Sequence, residues 1–233
     1  YADWNNDGVP DVAMGRMPAR TPAELVTMID KTTAYQPTRT AVLASDANDG
    51  LDYAAVNDEL AATLDGWSVL RADPDRPTAS AARSTLLQAL QDRKGLAIYL
   101  GHSSSTEWST VGLFAVGDIA SRSAENNSTV VAQFGCFNTY YASPMSETLA
   151  HQWMLAPGGA AAVMGAVTLT STAADVNLAR LLTAQLATGD HTIGEAVLAA
   201  KQALRNQVGS TVVDIEMGWT ILGDPALPVG ASA

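Results

Sequence analysis

Residues 95–103 read GLAIYLGHS and residues 129–138 read TVVAQFGCFN. Each stretch is a short apolar run with no polar alternation, and each ends in a glycine followed by a chemically reactive side chain. Runs of this length and uniformity are expected of parallel strands covered on both faces. If the two strands lie side by side, His102 and Cys136 emerge from the same edge of one sheet. In open α/β sheets that carboxyl edge is where binding groups collect, because the loops converge there and helix N-termini point towards a ligand.

Outward from these two strands, strand-like runs alternate with helix-like stretches along the whole chain, the pattern of an α/β domain with a mostly parallel central sheet. Thr21-Pro22-Ala23-Glu24 is a capping box with Pro at the first helical position, predicting a helix to about Gln36, where Pro37 stops it. Residues 40–45 (TAVLAS) read as a strand that runs into an Asp, Asn and Gly loop. Helical spacing covers residues 52–64 and 78–91, with a short strand at 67–71 between them. Ser143-Pro144 is expected to open a helix to about Leu155, and residues 159–166 (GAAAVMGA) a further buried strand. Helices are expected over 171–187 and, from the capping box Thr192-Ile193-Gly194-Glu195, to about Asn206. The tail closes on the turn Gly223-Asp224-Pro225.

The chain has 233 residues, 47% of them hydrophobic, enough to bury a full core. Its 13 Lys and Arg against 24 Asp and Glu give a formal charge of −11, which repels phosphate backbones and anionic membranes and argues against a nucleic-acid partner. No stretch approaches the roughly 18 apolar residues needed to cross a bilayer, so membrane insertion is not expected. The opening residues read as an acidic turn running into a strand, so the chain is expected to be part of a larger multidomain polypeptide. The soft boundary near residue 38 divides it into 1–38, the end of a preceding subdomain, and 39–233, the main α/β domain.

A single cysteine excludes an internal disulfide. A lone Cys is often a small buried packing residue. Paired with a histidine on a rigid sheet edge, it is also what thiolate chemistry requires: a nucleophile and a base that takes its proton. His151, within an expected helix, and His191, before a helix cap, read as surface residues, and no Cys and His cluster has zinc spacing.

The segments Leu100-Gly101-His102-Ser103 with Trp108 following, Phe134-Gly135-Cys136-Phe137-Asn138, Asp11-Val12-Ala13-Met14-Gly15-Arg16, Pro157-Gly158-Gly159-Ala160 and Leu222-Gly223-Asp224-Pro225 resemble the gingipain family of bacterial cysteine peptidases. The likeness runs from end to end and keeps order and spacing. It implies a caspase-like three-layer sandwich and a cysteine endopeptidase that needs no cofactor, acts on peptide or protein substrates and works outside the cell or on the bacterial surface. Position by position, it implies that Cys136 attacks the scissile carbonyl and His102 serves as acid and base. The backbone N–H groups of Cys136 and Ser103 would form the oxyanion hole, with Ser103 standing where the family usually has Gly, a change that a negative φ accommodates. Asp46 would support the histidine, and Asp52 would bind a basic P1 side chain, Arg or Lys. Asp46 as a plain loop acid and Asp52 as a helix N-cap are the competing readings. Trp108 is expected to line the substrate site. The alternative function is a catalytically silent module of a cell-surface adhesion or binding protein.

Asp3, Asn5, Asp7 and Asp11, with Gly8, follow the first part of an EF-hand loop, which suggests a structural calcium. Met14 stands where a bidentate Glu would complete the cage and Pro10 interrupts the loop, so an Asx-rich turn is the competing reading.

Overall fold

The computed structural model describes residues 2–6, 10–92, 94–122, 128–143, 147–209 and 213–230. Its main sheet has the order β2-β1-β3-β6-β7-β8, formed by β1 (Thr40–Ser45), β2 (Ser68–Ala72), β3 (Leu96–Leu100), β6 (Val130–Phe134), β7 (Ala162–Ala166) and β8 (Trp219–Leu222). The first five are parallel, and β8 runs antiparallel to β7. A two-stranded ribbon of β4 (Glu107–Trp108) and β5 (Phe114–Ala115) lies outside this sheet. Sequence reading missed the ribbon because two-residue strands carry no periodicity.

The apolar runs split by the period of two that a pleated strand imposes. Leu96, Ile98 and Leu100 of β3, with Val130, Ala132 and Phe134 of β6, face one core, whereas Ala97, Tyr99 and Val131 face the other. Helices α2 (Tyr53–Thr63), α6 (Thr172–Ala187) and α7 (Ile193–Val208) cover the first face through residues such as Leu60, Leu182 and Ala200. The second face is covered by α1 (Pro22–Ala34), α3 (Ala79–Gln91), α4 (Val116–Ala120) and α5 (Leu149–Leu155), through Met28, Leu86, Ile119 and Trp153. The result is three layers.

Both capping boxes form: Thr21 and Glu24 close the start of α1, and Thr192 and Glu195 that of α7. The helix expected from Ser143-Pro144 instead starts at the N-cap Thr148, whose hydroxyl accepts from the His151 N–H; Pro144 lies outside the described residues. Residues 159–161 turn into β7 rather than belonging to it. Residues before 39 pack against the rest. Arg16 bridges Leu222 at the sheet edge, and the buried Lys31 of α1 donates to the carbonyls of Trp153, Met154 and Ala156 at 2.8, 2.7 and 3.1 Å. One ammonium thereby ties together three carbonyls at the end of α5, two of which, Trp153 and Ala156, also accept the N–H groups of Ala160 and Gly159. Burial lowers its pKa to about 7.

The decisive pairing is β3 with β6, in the register Leu96↔Val130 to Leu100↔Phe134. Beyond it both strands continue into glycine, and Gly101 N–H donates to the Phe134 carbonyl at 3.0 Å. A Cβ on Gly135 would meet the Gly101 carbonyl oxygen at 2.2 Å and Ser103 Oγ at 2.5 Å. Glycine is thus required for the two chains to leave the sheet this close together. Gly135→Ala is expected to destabilise the fold by about 3 kcal/mol, read as a lower urea midpoint at unchanged slope; a midpoint within error of the parent would reject the close approach.

Candidate active site

His102 and Cys136 each stand two residues beyond the paired Leu100 and Phe134, so strand register alone brings them to one edge and one face. Both line one small cleft, together with Tyr53 of α2 and Thr170, Thr172 and Asp175 at the start of α6.

The main chain of His102 is fixed by Asp46. This fully buried carboxylate at the end of β1 accepts from the His102 N–H at 3.1 Å, from Ser109 Oγ at 2.5 Å, and from the N–H groups of Thr110 and Ala47 at 3.2 and 2.8 Å. The hydroxyl of Tyr99 also donates to the His102 carbonyl. Asp46 was expected to support the imidazole; it holds the loop instead. The carboxylate at the ring is Asp49, whose Oδ2 lies 2.6 Å from His102 Nε2, and this hydrogen bond holds the Asp49 carboxyl below its ordinary range. With Nε2–H directed at a carboxylate, Nδ1 is the nitrogen left to accept a proton from a thiol. Tyr53 packs edge-on to the imidazole, with ring centroids 6.3 Å apart.

The sulfur of Cys136 sits against Thr170, accepting its backbone N–H at 3.5 Å and lying 3.6 Å from its carbonyl oxygen. Beneath it runs a buried polar network. Gln133 accepts from the Trp108 indole at 2.8 Å and donates to the Asn138 carbonyl and Thr139 Oγ1 at 2.8 and 2.9 Å. Asn138 in turn donates to the Gly135 carbonyl at 2.8 Å and to Ser103 Oγ at 3.2 Å, and Ser103 Oγ–H donates to the Cys136 carbonyl at 2.8 Å. The residues after histidine and before cysteine are therefore tied by side-chain bonds. The described non-glycine residues with positive φ are Asn6, Ser109 and Phe137, so Ser103 keeps the negative φ that its side chain needs. Phe137, at φ 54°, is where the strain falls. Neither the Cys136 N–H nor the Ser103 N–H bonds another described residue.

Two expected substrate residues are placed elsewhere. Asp52 is exposed and caps α2, accepting the Ala55 N–H at 2.9 Å, because the helix it precedes leaves that donor orphaned. Trp108 is fully buried, stacked on Tyr99 with ring centroids 4.7 Å apart; β4 turns it into the core. His151 is buried rather than on the surface, with Nε2 2.9 Å from the Tyr141 carbonyl oxygen. Asp11 accepts from the Trp4 N–H at 2.6 Å and from the Asn5 amide at 3.5 Å. Asp7 lies outside the described residues. Among those residues no group of three His, Cys, Asp or Glu side chains gathers to hold a metal.

The acid that does reach the cleft is Asp175, which sequence reading passed over as an ordinary helix residue. It is 4% exposed. Oδ2 accepts from Thr170 Oγ1 at 2.6 Å, while Oδ1 is buried with no partner among the described residues. Burial, opposed by the Thr170 bond and reinforced by Asp214, pushes its pKa up to about 7. The available signal was its place in the first turn of a helix that follows a strand end.

A model of peptidase family C25 matches residues 1–230. Among solved structures the chain is similar to the Arg-specific cysteine proteinase gingipain R, with 19% identity and a TM-score of 0.83, over 96% of this chain and 57% of that one. The complex of the pro- and mature domains of RgpB from Porphyromonas gingivalis gives 20% identity and a TM-score of 0.81, over 96% and 58%. The separase–securin complex of Saccharomyces cerevisiae gives 16% and 0.62, over 94% and 14%. None of the curated proteins matches. The chain spans less than two thirds of the gingipain structures it matches. These likenesses bear on the fold, which is the caspase-like α/β architecture expected from the sequence.

Asp175 also sets a pH dependence of stability. Its carboxyl titrates higher folded than unfolded, so folding is favoured while it is protonated and loses that contribution as pH rises from about 4 through about 7. Asp175→Asn should therefore leave the melting temperature little changed at pH 4 and raise it above pH 7, by on the order of 2 kcal/mol in stability. A difference independent of pH would contradict the assignment.

Proposed function

The chain belongs to peptidase family C25, the gingipain family, and we propose that it is a cysteine endopeptidase with Cys136 as nucleophile and His102 as acid and base. The observation that carries this reading is the β3–β6 register, which sets thiol and imidazole on one face of one cleft. The imidazole Nδ1 takes the thiol proton as sulfur adds to the scissile carbonyl. The developing oxyanion is received by the N–H groups of Ser103 and Cys136, which bond no other described residue, each worth on the order of 3 kcal/mol in comparable sites. The imidazolium, steadied by Asp49, then protonates the leaving amine, and water hydrolyses the acyl-enzyme through the same histidine. Family membership also supports a protein substrate and an extracellular or cell-surface setting, and no helix among the described residues is long and apolar enough to cross a membrane.

For P1 the reading is a basic side chain, Arg or Lys, held by Asp175 rather than Asp52. Asp175 lines the cleft of the nucleophile with its carboxyl group buried and Oδ1 without a partner among the described residues, and a cation brought to it would supply the missing partner and relieve the cost of ionising it.

Two measurements test these assignments. A peptidyl acyloxymethyl ketone with Lys at P1 should label Cys136, with labelling abolished in Cys136→Ala and slowed at least about 100-fold in His102→Ala; an intact protein that takes no label would favour the silent module. The ratio of kcat/KM for Lys over Met at P1 should rise with pH through about 7, as Asp175 ionises, and collapse in Asp175→Asn. A ratio flat in pH and indifferent to that substitution would remove Asp175 from the P1 site.

A further inference from the structure

The edge that carries the dyad is asymmetric. On the His102 side lie β1 and β2, with the exposed acids Asp49, Asp52 and Asp75 in the loops that follow them. On the Cys136 side lie β7 and β8, where the chain exposes apolar side chains instead: Phe137 is 36% exposed, Leu169 66%, Val213 55% and Met217 75%. These residues are contiguous through the backbone. The Phe137 N–H donates to the Thr168 carbonyl at 3.0 Å, next to Leu169, and the Val167 N–H donates to the Gly218 carbonyl at 2.9 Å, next to Met217. Val213 is one turn before Met217 in α8 (Val213–Gly218), on the same side of that helix. The buried residues of α8 include Ile215, so its apolar side chains are divided between core and surface. Gly218, the last residue of that helix, packs against Thr168, where a Cβ would meet Thr168 Oγ1 at 2.2 Å.

We infer that Phe137, Leu169 and Met217 form a subsite for apolar side chains of the substrate on the N-terminal side of the scissile bond, the residues at P2 and P3. The inference rests on the peptidase reading and extends it. The direction follows from the chemistry: the leaving amine must meet His102 to be protonated, so the C-terminal part of the substrate departs over β3 and β1. The acyl part, bonded to Cys136, then extends over β7 and β8. Occupancy by the substrate is favoured because Phe137 and Leu169 each directly follow or precede, in the chain, a residue that lines the cleft, Cys136 and Thr170. An extended chain crossing the strand ends lays successive residues over it, each apolar side chain exchanging exposed surface for contact.

The test compares two fluorogenic peptides with Lys at P1, one with Leu at P2 and P3 and one with Gly at both. The parent protein should show a kcat/KM ratio, Leu over Gly, of about tenfold or more. In the double variant Leu169→Ser, Met217→Ser the ratio should fall to about two or less. Because the ratio is taken within one preparation, loss of folded protein cancels. A parent ratio near one, or a ratio unmoved by the substitutions, would overturn the subsite while leaving the peptidase reading intact. Turnover of neither peptide, with no labelling of Cys136 by the ketone, would overturn the peptidase reading and the subsite with it.

Discussion

The arrangement rests on one close approach: two parallel strands that remain in contact one residue past their last paired side chains. Gly101 and Gly135 make that possible, since a methyl group at residue 135 would collide with the Gly101 carbonyl oxygen. Because pleated strands alternate sides, the next residue of each chain then points to the same face. Chemistry at this edge is set by backbone register before any side chain is oriented. The six strands of the main sheet and the helices on its two faces supply the rigidity that keeps the register from slipping, since a slip of one residue would exchange the side chains fitted to one core with those fitted to the other.

Rigidity at the edge comes from polar groups, and the division of labour among them is informative. Asp46 spends its lone pairs on main-chain and hydroxyl donors of residues 47 and 102–110, so the histidine loop is held by a charge that never faces the cleft. Gln133 and Asn138 do the same for the cysteine loop, and Ser103 Oγ joins the two. Such a network is stabilising only when its members are satisfied. Here its satisfaction coincides with Ser103 and Cys136 N–H groups that bond no other described residue.

Asp49 and Asp175 illustrate how environment assigns opposite properties to one residue type. Asp49 is solvent-exposed and bonded to an imidazole, which favours its ionised form. Asp175 is buried with one oxygen unpartnered among the described residues, which disfavours its ionised form. A carboxylate in the second setting has more to gain from a basic ligand than one already surrounded by water.

Much of this was readable from the sequence alone. Unbroken apolar runs, capping boxes at Thr21 and Thr192 and the alternation of strands with helices determined the layered α/β class, because these signals are local and each is stated by neighbouring residues. The glycine-then-reactive-residue pattern singled out His102 and Cys136 for the same reason. What lay beyond it were choices among chemically equivalent residues. Asp46, Asp49, Asp52 and Asp175 are indistinguishable as letters. Only the packed chain decides which one holds a backbone, meets a ring or is buried at the cleft, because the histidine-loop partners of Asp46 and Asp49 lie 53 to 64 residues away and the burial of Asp175 depends on packing. The cap at Asp52 is local, with its partner three residues on. Trp108 shows the same limit, since a tryptophan beside a reactive histidine reads as a wall of the site until a two-residue strand turns it into the core. Sequence determined most of the elements and singled out His102 and Cys136 through short-range patterns, and tertiary structure decided the acids and the walls through burial and hydrogen bonding.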